Sequence, residues 1–430
     1  MERTYIKELK NKIGSEIVIK GFVQTIRDQG GIVFLIMRDI SDICQVVVLK
    51  SEKDIFELAK TLSTESVLEV HGLVKEEKQA PAGIEIQAKA IEVLSKAEPE
   101  LPIPILMFKS GDEAEMTKRL DWRWIDLRRP EKIDIFRLWT ALEQGFREYY
   151  SQNGFIQIYT PSFMSAPSES GADVFEVQYF EKKAYLAQSP QFYKQMAMAS
   201  GFEKVFIAGP VFRAEPSFTT RHLTEFTGWD FEISYIESHY DVMSVLEDTL
   251  IAGFKAAEHV TANALTVPSK PFPKLTMAEA KTKLKEAGIK SERLYDLTPE
   301  EEREICRLTK EETGHEFLFI VDYPVEARPF YHMRHSDNPG LTKSFDLLYR
   351  GLEITTGAQR EHRVDILEKQ AKDKNLGLTS IEDYLNFFRY GCPPHGGVGI
   401  GPGRIIMKIL DLPSIKEATF LPRDVRRLNP

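Results

Sequence analysis

Five short runs of β-branched and aliphatic residues fill the first hundred positions, and no other feature restricts the possible folds as strongly. Three of the runs lie within residues 16–49, where the sequences Asp-Gln-Gly-Gly and Ile-Ser-Asp separate them; the other two cover residues 66–77 and 83–94. Residues 54–62 have helical spacing and fall between the third and fourth runs. Five strands in this order predict an OB-fold over residues 1–103, a small barrel that binds oligonucleotides. An unrelated β-barrel or an adaptor domain has a similar pattern and stays open at this point.

The pattern changes after a proline-rich connection, which we assign as a linker or hinge over residues 104–130. Residues 131–430 combine helical periods with strands, and the helix that opens this region is predicted to end at Asn153 and Gly154. Strands far outnumber crossover helices, which predicts a mostly antiparallel sheet flanked by helices and hence an α+β fold. A charged helical excursion is predicted over residues 266–316.

Charge and cysteine content limit the function classes. The chain has 56 Lys and Arg residues against 65 Asp and Glu residues, a net charge of −9. This argues against a nucleic-acid binder with a broad basic surface, although a local basic groove can lie on an acidic body. Three distant cysteines without CxxC spacing, Cys44, Cys306 and Cys392, argue against a disulfide framework or a structural zinc site and indicate a cytoplasmic protein. No apolar run approaches the roughly 18 residues of a membrane span.

Two polar clusters in the second half have the residue types of a nucleotide site. Arg213 and Glu215 lie on one predicted strand, and His222 and Phe226 follow after a polar loop. The arginine can neutralise a phosphate, the glutamate can accept from an adenine amino group, and the phenylalanine can stack on the base. An ordinary ion-paired hairpin has the same pattern. The second cluster is a glycine-rich loop before Arg404, where the backbone could approach a phosphate at the start of a predicted helix.

A third cluster lies within residues 351–362. One conformation open to this segment is an extended strand with a bend near Gly357. In that conformation Glu353 and Thr356 can share a metal ion, and Arg360 can reach a carboxylate of a substrate. Carboxylate and hydroxyl oxygens suit Mg²⁺ held between protein and phosphates. A polar sheet edge is the alternative.

The order of these segments resembles the three signature motifs of class II aminoacyl-tRNA synthetases. Residues 154–161 (GFIQIYTP) are similar to motif 1, residues 212–226 (FRAE…RHLTEF) to motif 2 and residues 399–404 (GIGPGR) to motif 3. The OB-like N-terminal domain is typical of subclass IIb, whose members are specific for Asp, Asn or Lys. Residues 188–195 (QSPQFYKQ) resemble the aspartate-specific members, and the domain make-up is that of their compact archaeal type. The resemblance implies ATP as a substrate, Mg²⁺ as a cofactor, L-aspartate and tRNA(Asp) as partners, and a homodimer joined through motif 1.

The resemblance also implies roles for individual residues. Those assigned to aspartate are Glu169, Gln191, Phe192, Tyr193, Lys194, Arg213, Thr356 and Arg360, with Ser189 and Asp230 assisting. Those assigned to ATP are Arg213, Ala214, Glu215, Arg221, His222, Leu223, Phe226, Glu353, Gly401, Pro402, Gly403 and Arg404. Glu353 and Thr356 are assigned to Mg²⁺. Motif 3 commonly has an acidic residue before its arginine, and Gly403 in that place departs from the family pattern.

Lys194 and Arg360 together indicate aspartate as the amino acid, because a neutral asparagine amide would leave two buried cations without an anion. The implied reaction has two steps. The α-carboxylate of aspartate attacks the α-phosphate of ATP, and the 3′-terminal ribose of the tRNA then takes the aspartyl group. Positioning and charge neutralisation suffice for this chemistry without a covalent protein nucleophile. Three alternatives stay open: an asparaginyl-tRNA synthetase, a non-catalytic tRNA-binding paralogue, and a free asparagine synthetase of the related fold.

In the N-terminal domain the resemblance assigns Arg27, Phe34 and Gln45 to the anticodon, with Phe34 stacking on the central base. Such stacking contributes roughly 1–3 kcal/mol per base. A position in the barrel core is the alternative for Phe34. Gln24 and Pro81 stand where relatives that charge only tRNA(Asp) tend to have Trp and Lys. This favours a relaxed enzyme that also charges tRNA(Asn).

Overall fold

The computed structural model describes residues 2–106, 113–167, 174–260 and 265–430. The chain divides into two compact units, Met1–Ala114 and Glu115–Pro430. None of the helices in the described ranges is long and apolar enough to cross a membrane.

The first unit is a closed five-stranded barrel with one α-helix. Its elements are β1 (Glu16–Asp28), β2 (Ile32–Arg38), β3 (Ile43–Leu49), α1 (Lys53–Lys60), β4 (Val67–Glu76) and β5 (Ile84–Ser95), with short 3₁₀ turns at Ile6–Lys12 and Pro81–Gly83. The strands close in the order β1-β2-β3-β5-β4, and β3 pairs with β5 in parallel. The helix lies between the third and fourth strands of the chain, so the predicted OB-fold is confirmed.

Alternation along β2 separates the barrel core from its outer face. Val33, Leu35 and Met37 are completely buried inside, whereas Phe34 between them is half-buried on the other side of the strand. The alternative that placed Phe34 in the barrel core is therefore wrong.

The second unit is built on a large sheet with helices packed against it. Its helices are α2 (Met116–Asp121), α3 (Arg123–Asp126), α4 (Pro130–Gln152), α5 (Gln191–Ala199), α6 (His239–Ala257), α7 (Met277–Glu286), α8 (Pro299–Thr313), α9 (Val364–Asp373), α10 (Glu382–Arg389) and α11 (Pro402–Ile409). Its strands are β6 (Ile156–Gln157), β7 (Phe163–Met164), β8 (Glu176–Tyr179), β9 (Lys182–Leu186), β10 (Lys204–Phe212), β11 (Glu225–Ser234), β12 (Lys274–Thr276), β13 (Phe317–Val321), β14 (Ser344–Tyr349), β15 (Leu352–Arg360) and β16 (His395–Ile400). Short 3₁₀ turns cover Val325–Ala327 and Leu378–Ile381.

The main sheet has the order β12-β13-β14-β15-β16-β11-β10-β6, and β7, β9 and β8 form a small second sheet. Within the described strands of the main sheet, β6–β10 and β12–β13 are parallel pairs, and every other pair is antiparallel. The predicted mostly antiparallel sheet is confirmed, and with the barrel it gives the predicted α+β fold class.

Helix α4 ends where the sequence predicts. Asn153 is its C-cap, and Gly154 has a φ of +77°, a left-handed conformation that glycine adopts without steric cost. Gly145 lets α4 cross α6 closely. A Cβ at that position would lie 2.6 Å from the carbonyl oxygen of Ala252 and 2.8 Å from the Cα of Gly253.

Two predicted segments contain more than expected. Residues 104–130 include α2 and α3, which belong to the second unit, while residues 107–112 lie outside the described ranges. The hinge role of this segment stays a prediction. Residues 266–316 contain the helices α7 and α8 and also strand β12, which pairs with β13 and extends the main sheet.

Strand β15 has its irregularity elsewhere than at Gly357. The irregularity of β15 lies at Ile354, because Leu347 pairs with Thr355 and Leu348 with Glu353, which leaves Ile354 as the extra residue. Strand β15 continues through Gly357 to Arg360.

A buried ion-pair network joins the C-terminal residues to the first helices of the second unit. Glu417 accepts hydrogen bonds from Arg119 and from Lys132, whose Nζ lies 2.8 Å from Oε2. Arg123 donates to the backbone carbonyls of Glu417 and Thr419 at 2.8 and 2.9 Å. Burial opposes ionisation of Glu417, but the hydrogen bonds from Arg119 and Lys132 outweigh it and lower the pKa of Glu417 to about 2.

Candidate functional site

A cavity of about 670 Å³ in the second unit brings together most of the residues assigned from the sequence. Strands β10, β11, β15 and β16, the first turns of α5 and α11, and the segment 415–421 contribute to its walls. The assigned residues that line it are Ser189, Gln191, Lys194, Arg213, Glu215, Arg221, His222, Leu223, Phe226, Asp230, Glu353, Thr356, Arg360, Gly401, Gly403 and Arg404.

Other assigned residues lie elsewhere. Of the residues assigned to aspartate or to ATP, those in the described ranges that do not line the cavity are Phe192, Tyr193, Ala214 and Pro402. The Phe192 ring stacks on Tyr384 at 4.2 Å between centroids, in an apolar cluster behind the cavity wall that also includes Tyr193. Burial raises the pKa of the Tyr193 hydroxyl, as expected for a phenol in this cluster. Glu169 lies outside the described residues.

Four buried charged residues form one ion-pair cluster, and we call Lys194, Asp230, Glu232 and Arg360 the floor quartet. Lys194, Asp230 and Arg360 line the cavity. Lys194 of α5 donates to Oδ2 of Asp230 at 2.8 Å and to the carbonyl oxygen of Val398 at 2.9 Å, with Oε2 of Glu232 at 3.4 Å. Arg360 at the end of β15 donates from Nε to Oε1 of Glu232 at 3.0 Å. Burial opposes ionisation of Glu232, but Arg360 and Lys194 outweigh it and lower the pKa of Glu232.

The floor quartet contains two cations and two anions, so its formal charge is zero before any substrate binds. The expectation that Lys194 and Arg360 would lack an anion without aspartate is therefore wrong. Glu232 lies outside the residues assigned to the site from the sequence. A signal was present, since Asp230 and Glu232 alternate with the buried Phe231 and must point to the same face of β11.

The guanidinium of Arg360 has two further partners. Nη2 donates to the carbonyl oxygen of Gly397 at 2.9 Å, and Nη1 lies 2.9 Å from Nε2 of His332. Each terminal nitrogen of an arginine carries two N–H groups, so one N–H of each remains for a ligand. Both remaining donors can face a carboxylate in the bidentate arrangement that arginine favours.

A hydrogen-bonded chain of uncharged side chains supports α5 beside the floor quartet. His395 donates from Nδ1 to the carbonyl oxygen of Pro393 at 2.8 Å, so its Nε2 accepts from the amide of Gln195 at 3.0 Å. The carbonyl oxygen of Gln195 in turn accepts from the amide of Gln191 at 2.9 Å and from the Tyr384 hydroxyl at 3.2 Å. Gln191 lines the cavity, and its side-chain oxygen is an acceptor. Burial lowers the pKa of His395 to about 4, which keeps this ring neutral.

Motif 2 residues form the wall next to the floor quartet. The Arg213 guanidinium lies 5.6 Å from the centroid of the Phe226 ring, and its Nη1 is 3.7 Å from Oε1 of Glu215. Strands β10 and β11 place these groups together, because Phe212 pairs with Glu225 and Val211 with Phe226. The Phe226 ring offers a face on which a planar base can stack, and Arg213 beside it can neutralise a phosphate.

Glu302, which lies outside the residues assigned from the sequence, holds the loop of motif 2. Arg221 donates to Oε2 of Glu302 at 2.9 Å, and Glu302 belongs to α8, within the charged segment between β12 and β13. Burial raises the pKa of Glu302 to about 7. Burial and then the charge of Arg404 lower the pKa of His222, whose Nδ1 lies 2.5 Å from Oγ1 of Thr219.

Oxygen ligands meet where β14 and β15 pair. Thr356 donates to Oε1 of Glu353 at 3.2 Å, and Asp346 is the register partner of Thr356 on the neighbouring strand. Oδ1 of Asp346 is buried and has no hydrogen-bond partner among the described residues, although Arg328 donates to Oδ2 at 2.7 Å. Two carboxylates and a hydroxyl fit Mg²⁺, which binds through one or two carboxylates together with substrate phosphates. No cluster of three His, Cys, Asp or Glu side chains in the described ranges offers a site made by the protein alone.

Arg404 is held over this site by the backbone, and the motif 3 departure has a packing explanation. Nη1 of Arg404 donates to the carbonyl oxygen of Glu353 at 2.8 Å and lies 3.4 Å from its Oε1. A Cβ at Gly403 would lie 3.3 Å from the side chain of Ile415. A longer acidic side chain there would meet Ile415, so glycine suits the position of the C-terminal segment in this chain.

The residues assigned to the anticodon share the outer face of the barrel. Arg27 pairs with Phe34 across β1 and β2, and Gln45 on β3 pairs with Ile36, two residues after Phe34. Paired and alternate residues point to the same face of a sheet. Arg27 is exposed, and Gln45 donates to Oε2 of Glu85 at 3.1 Å.

The two residues assigned to tRNA discrimination lie at irregular points of the barrel. Gln24 occupies the bulge between Val23 and Thr25, and its Oε1 is buried without a hydrogen-bond partner in the described part of the chain. Pro81 begins the 3₁₀ turn before β5.

Comparison with known proteins agrees with this arrangement. Residues 115–425 match the family of class II tRNA synthetases for D, K and N, and residues 17–94 match the OB-fold nucleic acid binding domain. The chain is 42% identical to an aspartate–tRNA(Asp/Asn) ligase of Aeropyrum pernix, over 99% of this chain and 98% of that one. It is 41% identical to an aspartate–tRNA(Asp) ligase of Pyrococcus abyssi, over 99% of each.

A solved structure is similar over the same length. Asparaginyl-tRNA synthetase from Pyrococcus horikoshii, complexed with asparaginyl-adenylate, has a TM-score of 0.92 and 32% identity over the whole of both chains. Together with the barrel, the antiparallel sheet and the motif residues around one cavity, the matches identify the family. The chain belongs to the class II aminoacyl-tRNA synthetases and, within them, to the aspartate–tRNA ligase family.

Proposed function

We propose that the protein activates L-aspartate with ATP and transfers it to the 3′ end of tRNA(Asp). The observation that carries the choice of amino acid is Arg360 in the floor quartet. Its bonds to Glu232, His332 and Gly397 fix the guanidinium and leave one N–H on each terminal nitrogen. Two parallel donors suit a side-chain carboxylate, whereas the NH₂ of an asparagine amide would face another donor.

The first step joins the α-carboxylate of aspartate to the α-phosphate. A carboxylate oxygen forms the bond to phosphorus while the bond to the pyrophosphate oxygen breaks, and pyrophosphate leaves. Arg213 neutralises the α-phosphate, the adenine lies against Phe226 with Glu215 accepting from its amino group, and Arg404 binds the leaving phosphates. In the second step the 3′-terminal ribose hydroxyl attacks the aspartyl carbonyl and AMP leaves. Fixed charges around the transferring groups supply the catalysis.

Three oxygen-bearing residues would hold Mg²⁺ at the phosphates: Asp346, Glu353 and Thr356. The unpartnered Oδ1 of Asp346, in the part of the chain that the structure describes, supports this assignment, which adds Asp346 to the two ligands expected from the sequence. The bound ion would neutralise phosphate charge and orient the phosphates. Arg404, next to Glu353, extends the positive field over the same region.

The decisive experiment is amino-acid-dependent exchange of pyrophosphate into ATP, followed by aminoacylation. Exchange is expected with aspartate and at least a hundredfold lower kcat/KM with asparagine. Exchange driven by asparagine alone would replace the proposal with an asparaginyl-tRNA synthetase, the activity for which the similar Pyrococcus horikoshii protein is named. Exchange with neither amino acid would favour a non-catalytic tRNA-binding paralogue.

We also propose that the enzyme charges tRNA(Asn) with aspartate. Gln24 at the β1 bulge and Pro81 before β5 support this relaxed recognition. The similar Aeropyrum pernix enzyme is named for both tRNAs, whereas the Pyrococcus abyssi enzyme is named for tRNA(Asp). Aminoacylation of a purified tRNA(Asn) transcript tests this point, and its failure beside efficient charging of tRNA(Asp) would restrict the function to one tRNA.

We further propose a homodimer that works in the cytoplasm. The short strand β6 forms one edge of the main sheet, and the motif 1 segment after it leaves Tyr159 80% exposed. A sheet edge with exposed aromatic residues suits a second copy of the chain. Sedimentation at micromolar concentration should give twice the mass of 49.2 kDa, and a monomeric Tyr159→Asp variant would locate the interface.

A further inference from the structure

His332 lies in the cavity wall beside Arg360, outside every motif identified from the sequence. It belongs to the segment between β13 and β14, and its backbone forms an isolated antiparallel bridge with Arg360. The side chain is 2% exposed and lines the cavity. Neither position nor burial assigns a role by itself, since a buried histidine can serve packing alone.

The hydrogen bond to Arg360 fixes the protonation of His332. An arginine side chain only donates, so Nε2 of His332, 2.9 Å from Nη1, must be the acceptor. The ring is therefore neutral and carries its proton on Nδ1. Burial, together with the positive charge of Arg360, lowers the pKa of His332 well below its ordinary value, in agreement with this state.

The bond matters because of where it is made on the guanidinium. Glu232 accepts from Nε and the carbonyl oxygen of Gly397 accepts from Nη2. His332 is the partner of Nη1. Without it, among the described residues, Nη1 has no acceptor and the guanidinium is held only at Nε and Nη2.

We infer that His332 is a positioning residue for amino-acid specificity, whose Nε2 holds Arg360 so that the remaining N–H of both terminal nitrogens face the substrate's side-chain carboxylate. This inference rests on the proposed aspartate activation and adds a residue to its specificity. Nδ1 of His332 is buried without a hydrogen-bond partner in the described ranges. An unsatisfied buried donor is unfavourable, so packing alone does not explain a histidine here.

Two substitutions of nearly equal shape separate hydrogen bonding from packing. His332→Gln keeps an acceptor at similar reach, whereas His332→Met has similar length and no strong acceptor. His335→Leu is the matched control, because His335 lies on the same segment and contacts Asp322, at 2.8 Å, rather than Arg360. Thermal unfolding of each variant establishes that it is folded at the assay temperature.

The exchange reaction gives the readout. His332→Met is expected to raise the KM for aspartate about tenfold to a hundredfold, as for loss of a hydrogen bond to a charged group. The KM for ATP should stay within about twofold, and the ratio of kcat/KM for aspartate over asparagine should fall about tenfold. His332→Gln and His335→Leu should remain within about threefold of the wild-type KM.

Each other outcome has a definite meaning. A folded His332→Met enzyme with an unchanged KM for aspartate would overturn the inference. Equal losses in the Gln and Met variants would also overturn it, by showing that shape and not the acceptor matters. If His332→Met does not fold, His332→Leu with its own unfolding curve takes its place in the same comparison. A wild-type enzyme inactive toward aspartate would overturn the proposed function instead, so the two failures are distinguishable.

Discussion

Individual charged side chains in the cavity have two roles. They line the proposed ligand site, and they also neutralise each other's charge. Lys194 is the clearest case, with a buried side chain between the carboxylates of Asp230 and Glu232. Removing one member of such a group leaves an uncompensated buried charge, which costs about 3–5 kcal/mol. Effects of these residues on binding and on stability must therefore be measured separately.

Lys194→Met is expected to do both kinds of damage. It should lower kcat/KM for aspartate at least a hundredfold and reduce the free energy of unfolding by about 3 kcal/mol, because Asp230 and Glu232 lose a counter-ion. Urea unfolding and pyrophosphate exchange measure the two effects. Adding Asp230→Asn should restore most of the stability but not the activity. A double variant as unstable as the single one would show that the pairing with Asp230 is not the source of the loss.

At the scale of elements, the pairing of strands decides which groups meet. The bulge at Ile354 sets the register between β14 and β15, and this register places Asp346 opposite Thr356. A shift of one residue would turn Asp346 to the other face of the sheet. The proposed Mg²⁺ site thus depends on a pairing of two strands rather than on a local motif.

Removal of the metal should stop activation, and removal of the Glu353 charge should weaken the binding of Mg²⁺. Chelation of divalent cations is expected to abolish pyrophosphate exchange, and returning Mg²⁺ should restore it. Glu353→Gln should raise the Mg²⁺ concentration for half-maximal exchange about tenfold, because the amide oxygen carries no charge to attract the cation. Glu148→Gln, on the exposed face of α4, is the control. An unaltered Mg²⁺ requirement in Glu353→Gln would remove this residue from the ligand set.

The network around Glu417 predicts how the second unit responds to acid. The pKa of Glu417 falls from 4.5 to about 2 on folding, a contribution of about 3 kcal/mol. A carboxylate whose pKa is lower in the folded than in the unfolded state stabilises the folded protein at pH values above its unfolded pKa. This stabilisation is lost as the pH falls from 4.5 toward 2.

Glu417→Gln is therefore expected to lower the free energy of unfolding by about 3 kcal/mol at neutral pH. It should also make the free energy of unfolding depend less on pH between 4.5 and about 2. Chemical unfolding as a function of pH measures both. Glu311→Gln removes an exposed ion pair with Arg307 and should change stability by less than about 1 kcal/mol. An acid profile that stays as steep in Glu417→Gln as in the wild type would contradict the assignment.

For the whole molecule, the net charge of −9 leads us to expect tRNA recognition through particular positions rather than through a general excess of positive charge. Residues 1–100 contain 14 Lys and Arg residues against 17 Asp and Glu residues, so the barrel itself has no excess of positive charge. The outer face with Arg27, Phe34 and Gln45 offers one arginine, one aromatic ring and one amide instead. Binding should then depend on stacking and base contacts more than on neutralised phosphates.

Phe34→Ala tests this view of tRNA binding. The KM for tRNA(Asp) is expected to rise about tenfold to a hundredfold, in line with a loss of roughly 1–3 kcal/mol of stacking. Pyrophosphate exchange with aspartate, which needs no tRNA, should be unaffected. Leu94→Ala, an exposed apolar side chain on β5, is the control within the same barrel. An unchanged KM for tRNA in Phe34→Ala would exclude stacking by this residue.

Periodicity of the sequence was enough to predict the OB-fold, the antiparallel sheet and the end of α4, because each depends on residues close in the chain. The motif residues Lys194, Arg213, Glu353 and Arg360 were also found from the sequence, and they line one cavity. Partners that come from distant segments of the chain could not be predicted from the sequence. Glu302 lies 81 residues from Arg221 and His332 lies 28 residues from Arg360, so only the assembled sheet brings each pair together.

The segment 415–421 that forms part of the cavity wall has a consequence for the making of the protein itself. The N–H of Ile415 donates to the carbonyl oxygen of Thr220, and the N–H of Thr224 donates to the carbonyl oxygen of Arg423, two residues after the segment, so the C-terminal residues hold the motif 2 loop. In a chain synthesised from its amino end, these residues leave the ribosome after every other part of the wall. A nascent chain that has already folded its barrel would therefore still lack this part of the cavity wall.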